Sequence, residues 1–117
     1  MIALLQHWLT ELGLGWFDLK MLLERSLSFN SDALHVAAGV MVQLLSAALL
    51  RSSVSSTRPW LVVLVLELAN EAVDLWVEKW PDPAMQWGEG LKDVLLTLAL
   101  PTLLLVVARK WPRLLKQ

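Results

Sequence analysis

Glu67, Glu71, Asp74 and Glu78 occur within the stretch ELANEAVDLWVEKW at spacings i, i+4, i+7 and i+11. On a helix turning 100° per residue they fall within a stripe of roughly 60°, so four carboxylates share one face. Carboxylates gathered in this way hold divalent cations, exchange protons or attract cationic groups. Two further sets of polar residues have matching periodicity. Asp32, His35, Gly39, Gln43 and Ser46 follow i, i+3, i+7, i+11 and i+14, and the small residues Gly39 and Ser46 allow a second helix to approach closely. Glu89, Asp93 and Thr97 are four apart, with Lys92 beside them. Pro101, one turn further on, lacks the N–H that would bond the carbonyl four residues back and can kink its helix.

The candidate ligand- or cation-binding residues are therefore Asp32, His35, Glu67, Asn70, Glu71, Asp74, Lys92, Asp93 and Thr97. Asp, Glu and one His suit Mg²⁺, Mn²⁺ or Zn²⁺, although no tight ligand motif is present and the cofactor stays open between a divalent cation and none. His35, beside Asp32 and facing other acids, is a candidate proton carrier or ligand, and equally a packing or capping histidine. His7 reads as a surface residue. The plainer alternative is a self-satisfied polar network, in which Lys92 and His35 each neutralise an acid while Asn70 and Gln43 supply hydrogen bonds. Gly88-Glu89-Gly90 is too short and acidic to cradle a phosphate unaided.

The elements that carry these residues approach membrane-spanning length. Residues 33–50, 60–80 and 91–108 are each close to the roughly 20 apolar residues that cross the hydrocarbon core. Trp60, Trp76, Trp80, Trp87 and Trp111 fall near their ends, as an interfacial aromatic belt would place them. Counting at 1.5 Å per residue puts Asn70 at mid-membrane and brings His35, Asp74 and Asp93 to a similar depth, with Lys92 near them. Ionisable groups at such depth cost about 2.5–3.5 kcal/mol each, so this face is expected to line something polar rather than lipid. Residues 2–29 alternate Leu and Trp with Gln6, Glu11, Asp18, Lys20 and Glu24 at helical spacing, and Gly13-Leu14-Gly15 interrupts them. The expectation is one bent helix, or two short ones, in the interface plane. Asn30 or Ser31 is suited to cap the next helix, residues 52–57 form a polar turn, and Pro81-Asp82-Pro83 stops the second span before an 81–90 loop.

Composition agrees with this reading. A chain of 117 residues is long enough for one domain, and 56% hydrophobic residues exceed ordinary soluble usage. A net charge of -1, without a basic cluster interleaved with aromatics, gives no support for nucleic-acid binding. The absence of cysteine removes disulfides and thiolate chemistry. No positive charge precedes Lys20, so a cleavable signal peptide is not expected. Arg51, Arg58, Arg109, Lys110, Arg113 and Lys116 gather on one side of the membrane; the positive-inside rule then puts the 51–58 loop and the C-terminus in the cytoplasm and the acidic stripe at the outer face.

Three stretches resemble the signatures of the VanZ-like family of small bacterial membrane proteins. Asp32-Ala-Leu-His35 is similar to its Asp-x-x-x-His type signature, Glu67-Leu-Ala-Asn70 to its Glu-x-x-Gln, and Asp93-Val-Leu-Leu-Thr97 to its Asp-x-x-x-Asn. Asn70 and Thr97 depart from the pattern, and Lys92 stands where the family has arginine. This resemblance implies a role in the cell envelope, in glycopeptide resistance or the handling of an envelope lipid. A second resemblance is to bacterial diacylglycerol and undecaprenol kinases, through Glu67-x-x-Asn70-x-x-x-Asp74 and Lys92-Asp93. It would make Glu67, Asp74 and Asp93 metal-holding and hydroxyl-activating residues. Against it, the charge rule places the cluster away from cytoplasmic ATP, and Lys20 and Arg25 are the only basic residues in the N-terminal segment.

The expectation is thus an all-α integral protein of the bacterial inner membrane: an interfacial N-terminal helix and three spans in one domain, surrounded by lipid bilayer. Three helices enclose so many carboxylates poorly, so a homo-oligomer or a larger membrane complex is expected. Its leading function is a VanZ-like envelope role in which the acidic cluster binds a polar head group or cation. A lipid kinase and a non-catalytic subunit of a larger complex are the alternatives.

Overall fold

The protein is described by a computed structural model over residues 1–27, 30–78 and 80–114. The end of the expected 2–29 helix, Lys79 in the expected 60–80 span and Lys116 on the basic side lie outside the described residues. Four α-helices account for nearly all of the described chain: α1 (Ile2–Leu27), α2 (Ser31–Leu49), α3 (Thr57–Val77) and α4 (Pro83–Lys110), followed by one 3₁₀ turn at Pro112–Leu114.

Local chemistry fixes each boundary. Asn30 Oδ1 accepts from the Ala33 amide at 2.8 Å and caps α2, with Asp32 in the first turn where the helix dipole favours it. α2 closes with Arg51 at φ 52, while the Ser52 amide bonds the Ala47 carbonyl at 2.9 Å and the Arg51 amide bonds that of Ala48 at 3.3 Å. This is a Schellman cap with arginine where glycine is usual. Ser56 caps α3, which therefore runs three residues ahead of the expected 60–80.

One expectation is narrowed and another is corrected. Of the two forms expected for residues 2–29, the structure has the single helix: α1 runs through Gly13 and Gly15, because an interior glycine weakens a helix by about 1 kcal/mol without ending it. The 81–90 loop is largely helix. Asp82 Oδ1 caps the Ala84 amide at 3.0 Å and Pro83 takes the first helical position, where its missing N–H costs nothing, so the prolines that stop α3 also start α4.

α2, α3 and α4 pack against one another, and α1 leans mainly on α3. The partners Asp32–Lys92, His35–Thr97 and Gln43–Pro101 show α2 running parallel to α4. Trp60–Thr102 and Glu78–Gln86 show α3 running antiparallel to both. This up-down-up order puts the 51–58 turn and the end of α4 at one pole, where Arg109 donates to the Ser55 carbonyl at 2.8 Å and to Thr57 Oγ1 at 2.7 Å.

The interior is polar and the exterior apolar. Among the described residues, Gln43, Ser46, Glu67, Glu71, Asp93 and Thr97 are buried, whereas Ala47, Val63 and Ala108 are the buried hydrophobic side chains. Leu and Trp side chains along all four helices stand exposed, among them Leu5, Trp8, Leu45, Leu66, Leu95 and Leu103. α2 and α4 are long and apolar enough to cross a membrane. α3 is long enough, but Glu67, Glu71 and Asp74 interrupt its apolar run.

Candidate functional site

Close helix contact sets the site. Pro101 leaves the Thr97 carbonyl without its usual partner in α4, and this carbonyl presses against Gly39 of α2, where a Cβ would collide with it. The Gly39 methylene in that place suits a weak Cα–H···O contact. One turn deeper, Gln43 Nε2 donates to the Pro101 carbonyl at 3.0 Å while its Oε1 is buried without a partner.

His35 lies one turn from Gly39, on the acidic side, at the centre of the polar interior. Its Nδ1 is 2.9 Å from Thr97 Oγ1 and 3.4 Å from Glu67 Oε1, and its Nε2 is 3.5 Å from Asp93 Oδ2. One imidazole thus bridges carboxylates from α3 and α4. Glu71 lies one turn from Glu67 on α3, and donor atoms of His35, Glu67 and Glu71 all fall within 4.8 Å of one another. Glu71 fits because Gly90 of α4 has no side chain: a Cβ there would sit 3.0 Å from Glu71 Oε2. Glu67 Oε1 and Asp93 Oδ1 are buried with no hydrogen-bond partner.

A cleft of about 410 Å³ opens beside this cluster, between α1 and α2, with α3 and the start of α4 as its floor. His35, Glu67, Asn70, Asp74 and Asp93 line it, together with Glu24, Glu78 and Glu89; Phe17, Met21, Leu23, Leu34 and Ala38 form apolar walls. The cation lining the cleft is Lys20, whose Nζ donates to Asp74 Oδ1 at 2.5 Å and Asn70 Oδ1 at 2.8 Å. Trp16 Nε1 also donates to Asn70 Oδ1, at 2.8 Å. The chemistry on offer is attraction of positive charge, hydrogen bonding to a polar head, and proton or metal-ion binding at His35.

Of the nine candidates, five line the cleft, and Thr97 and Glu71 support its floor from behind. Asp32 and Lys92 lie outside its lining: Lys92 pairs outward with Asp32 at 3.2 Å and with Glu89 at 2.7 Å on the half-exposed surface, while Asp32 stays within 4.8 Å of Glu89 and Asp93 at the rim. Matching depth put Lys92 near the acids, but its position on α4 turns it away. Asp74 is likewise drawn to Lys20 rather than to Asp93.

Sequence reading missed Lys20 and Trp16, because residues 2–29 were expected to lie in the interface plane and none of their side chains was assigned to the polar cluster. Thr10, Gly13, Phe17, Lys20 and Glu24 form the covered face of α1. Their 3-4-3-4 spacing was the available signal: it marks a seam that is small or polar at every position but Phe17, on a helix otherwise studded with leucine. Compared with protein-family models, curated proteins and solved structures, the chain matches no family model, no curated protein and no solved structure.

Proposed function

We propose that the protein is a small multi-pass membrane protein of the bacterial inner membrane whose acidic cleft receives the polar, positively charged head of a membrane-resident molecule. In this reading α2, α3 and α4 span the bilayer and α1 lies against the outer end of α3, with the C-terminus in the cytoplasm. The observation that carries it is the inversion of burial: leucines and tryptophans cover the outside, and the interior is made of Gln43, Glu67, Glu71, Asp93 and Thr97. Water penalises that arrangement on both counts, whereas a hydrocarbon surround accepts the outside and leaves the polar interior as a protected site. The cleft has the two-part lining that an amphiphile needs, with acids on its floor and apolar side chains on its walls.

The VanZ-like resemblance at Asp32–His35, Glu67–Asn70 and Asp93–Thr97 supports an envelope role for this cleft. The apolar outer faces leave room for a second copy or a larger membrane complex beside the lipid.

The kinase reading is favoured by one observation: Glu67, Asn70, Asp74 and Asp93 line a single cleft. Lys92, however, is turned away, and Lys20 is already held by Asp74 and Asn70, so little positive charge faces a triphosphate. Transfer of phosphate from ATP to a lipid hydroxyl, abolished by Asp74→Asn, would establish it.

The head-group reading is tested by thermal unfolding of the detergent-solubilised chain with added phosphatidylethanolamine or phosphatidylglycerol. The amine-bearing lipid is expected to raise the unfolding temperature more, and the paired substitution Glu24→Gln with Glu78→Gln at the cleft is expected to remove the difference. Equal responses to the two lipids would overturn the charge preference.

A further inference from the structure

We propose that His35, Glu67 and Glu71 hold a divalent first-row transition-metal ion of the zinc or manganese type, with Asp93 orienting the imidazole. The inference shares His35 and Glu67 with the cleft proposed above, but its ligand and its test are separate.

The first argument is charge. Glu67, Glu71 and Asp93 are all buried, and one imidazole is the basic group placed among them, because Lys20 is taken by Asp74 and Lys92 by Asp32 and Glu89. Three carboxylates in a low-dielectric interior need compensation, and a divalent ion supplies it without calling on the imidazole for charge. The second argument is an orphaned atom. The Glu67 side chain is 7% exposed, and its Oε1 makes no hydrogen bond although it points at the imidazole. A buried oxygen of this kind is costly unless something coordinates it.

Geometry supplies the third. The 3.4 Å between His35 Nδ1 and Glu67 Oε1 is poor for a hydrogen bond. It is, however, near the ~3.3 Å that separates two donors on one tetrahedral ion with bonds of ~2.0–2.1 Å. The opposite ring nitrogen faces Asp93 Oδ2 at 3.5 Å, longer than a hydrogen bond but on the side from which an outer carboxylate would close on a metal-bound ring in the carboxylate–histidine–metal order. Thr97 Oγ1, 2.9 Å from Nδ1, adds a neutral oxygen at the same place. The donor set decides the class of ion. One nitrogen and two carboxylates fall short of the six to eight oxygens Ca²⁺ takes, and an imidazole donor suits Zn²⁺ or Mn²⁺ better than Mg²⁺.

The test is titration of the metal-stripped full chain in detergent with Co²⁺, read by its visible absorption bands, followed by competition with Zn²⁺ and Mn²⁺. One Co²⁺ per chain is expected, with binding lost in His35→Gln and in Glu71→Gln and weakened about 10–100-fold in Asp93→Asn. Glu11→Gln, on the exposed face of α1 and outside the cleft, is expected to bind as the unaltered chain does. Circular dichroism on each sample establishes that it is folded. Two results overturn the proposal: a folded unaltered chain that takes up no Co²⁺, as when protons alone neutralise the cluster, or His35→Gln and Glu71→Gln variants that bind as before. A lipid preference that persists without Co²⁺ binding would reject the metal and leave the head-group reading standing.

Discussion

Single atoms decide how closely these helices approach. At Gly39, a methyl group would be driven into the Thr97 carbonyl, which is backbone and cannot rotate aside. Gly39→Ala is therefore expected to destabilise the protein by about 1–3 kcal/mol, read as a lower unfolding temperature in detergent. It should also disturb His35, one turn away. Gly88→Ala is the matched control: nothing lies within 4 Å of the added carbon, and helix propensity predicts no loss or a gain of up to about 1 kcal/mol. Arg51 offers the reverse case. Its positive φ strains any residue with a Cβ, so Arg51→Gly is expected to stabilise the end of α2 by roughly 0.5–1 kcal/mol in the same measurement. The small-residue role of Gly39 was legible in the sequence, since it lies on the stripe of His35 and Gln43. The seat that Gly90 makes for Glu71 was not, because it depends on where α3 meets α4, which no single-helix pattern contains.

At the scale of elements, helix existence was legible and helix meaning less so. Apolar runs and helical spacing located all four helices, and the polar stripes of α2, α3 and α4 together supply the buried polar side chains. Pattern left open which face of α1 meets the bundle, and it read the prolines before α4 as a loop rather than a helix start. In α1 a sparse seam of Thr10, Gly13 and Lys20, set among abundant leucines, is what meets α3. Trp76 Nε1 donates to Thr10 Oγ1 at 3.3 Å, and a Cβ on Gly13 would lie 3.4 Å from side-chain methyls of Val73 and Val77. Because the chain has no cysteine, this docking can be tested cleanly. Gly13→Cys combined with Val73→Cys is expected to cross-link on mild oxidation, whereas Leu9→Cys with Val73→Cys, its α1 member on the exposed face, should not. Lys20→Met is expected to weaken the cross-link, since it removes the bonds to Asn70 and Asp74 and leaves Asp74 unpaired.

Across the whole molecule, charge divides by pole. Arg51, Arg58, Arg109, Lys110 and Arg113 stand at the end opposite Glu78, Asp82 and Glu89. In the bilayer reading proposed above, the positive-inside rule gives this division a direction. Single cysteines at Ser53 and Ala84, treated with a membrane-impermeant thiol reagent on intact cells, test it. Labelling at Ala84 alone is expected, with the cleft facing outward; labelling at Ser53 alone would reverse the topology and open the cleft to cytoplasmic ATP. Composition made the apolar character of the molecule legible at this scale. The inversion of burial was legible only in part, because pattern shows which residues share a face but not whether that face turns inward.

The acids of α3 also bear on how such a chain would be made. A nascent helix leaving the translocon on its own is judged by its own side chains. The run LVVLVL returns about 0.3–0.6 kcal/mol per residue, while a carboxylate near the helix centre, such as Glu67, costs roughly 2.5–3.5 kcal/mol, and Glu71 and Asp74 add to it. The sum disfavours α3 as a solitary span. It becomes favourable once α2 offers His35 and α4 encloses Glu67 and Glu71, so α3 would have to wait beside the translocon until α4 is synthesised and enter with it as a pair. Biogenesis would then be cooperative, with the residues that make the site also setting the order of membrane entry.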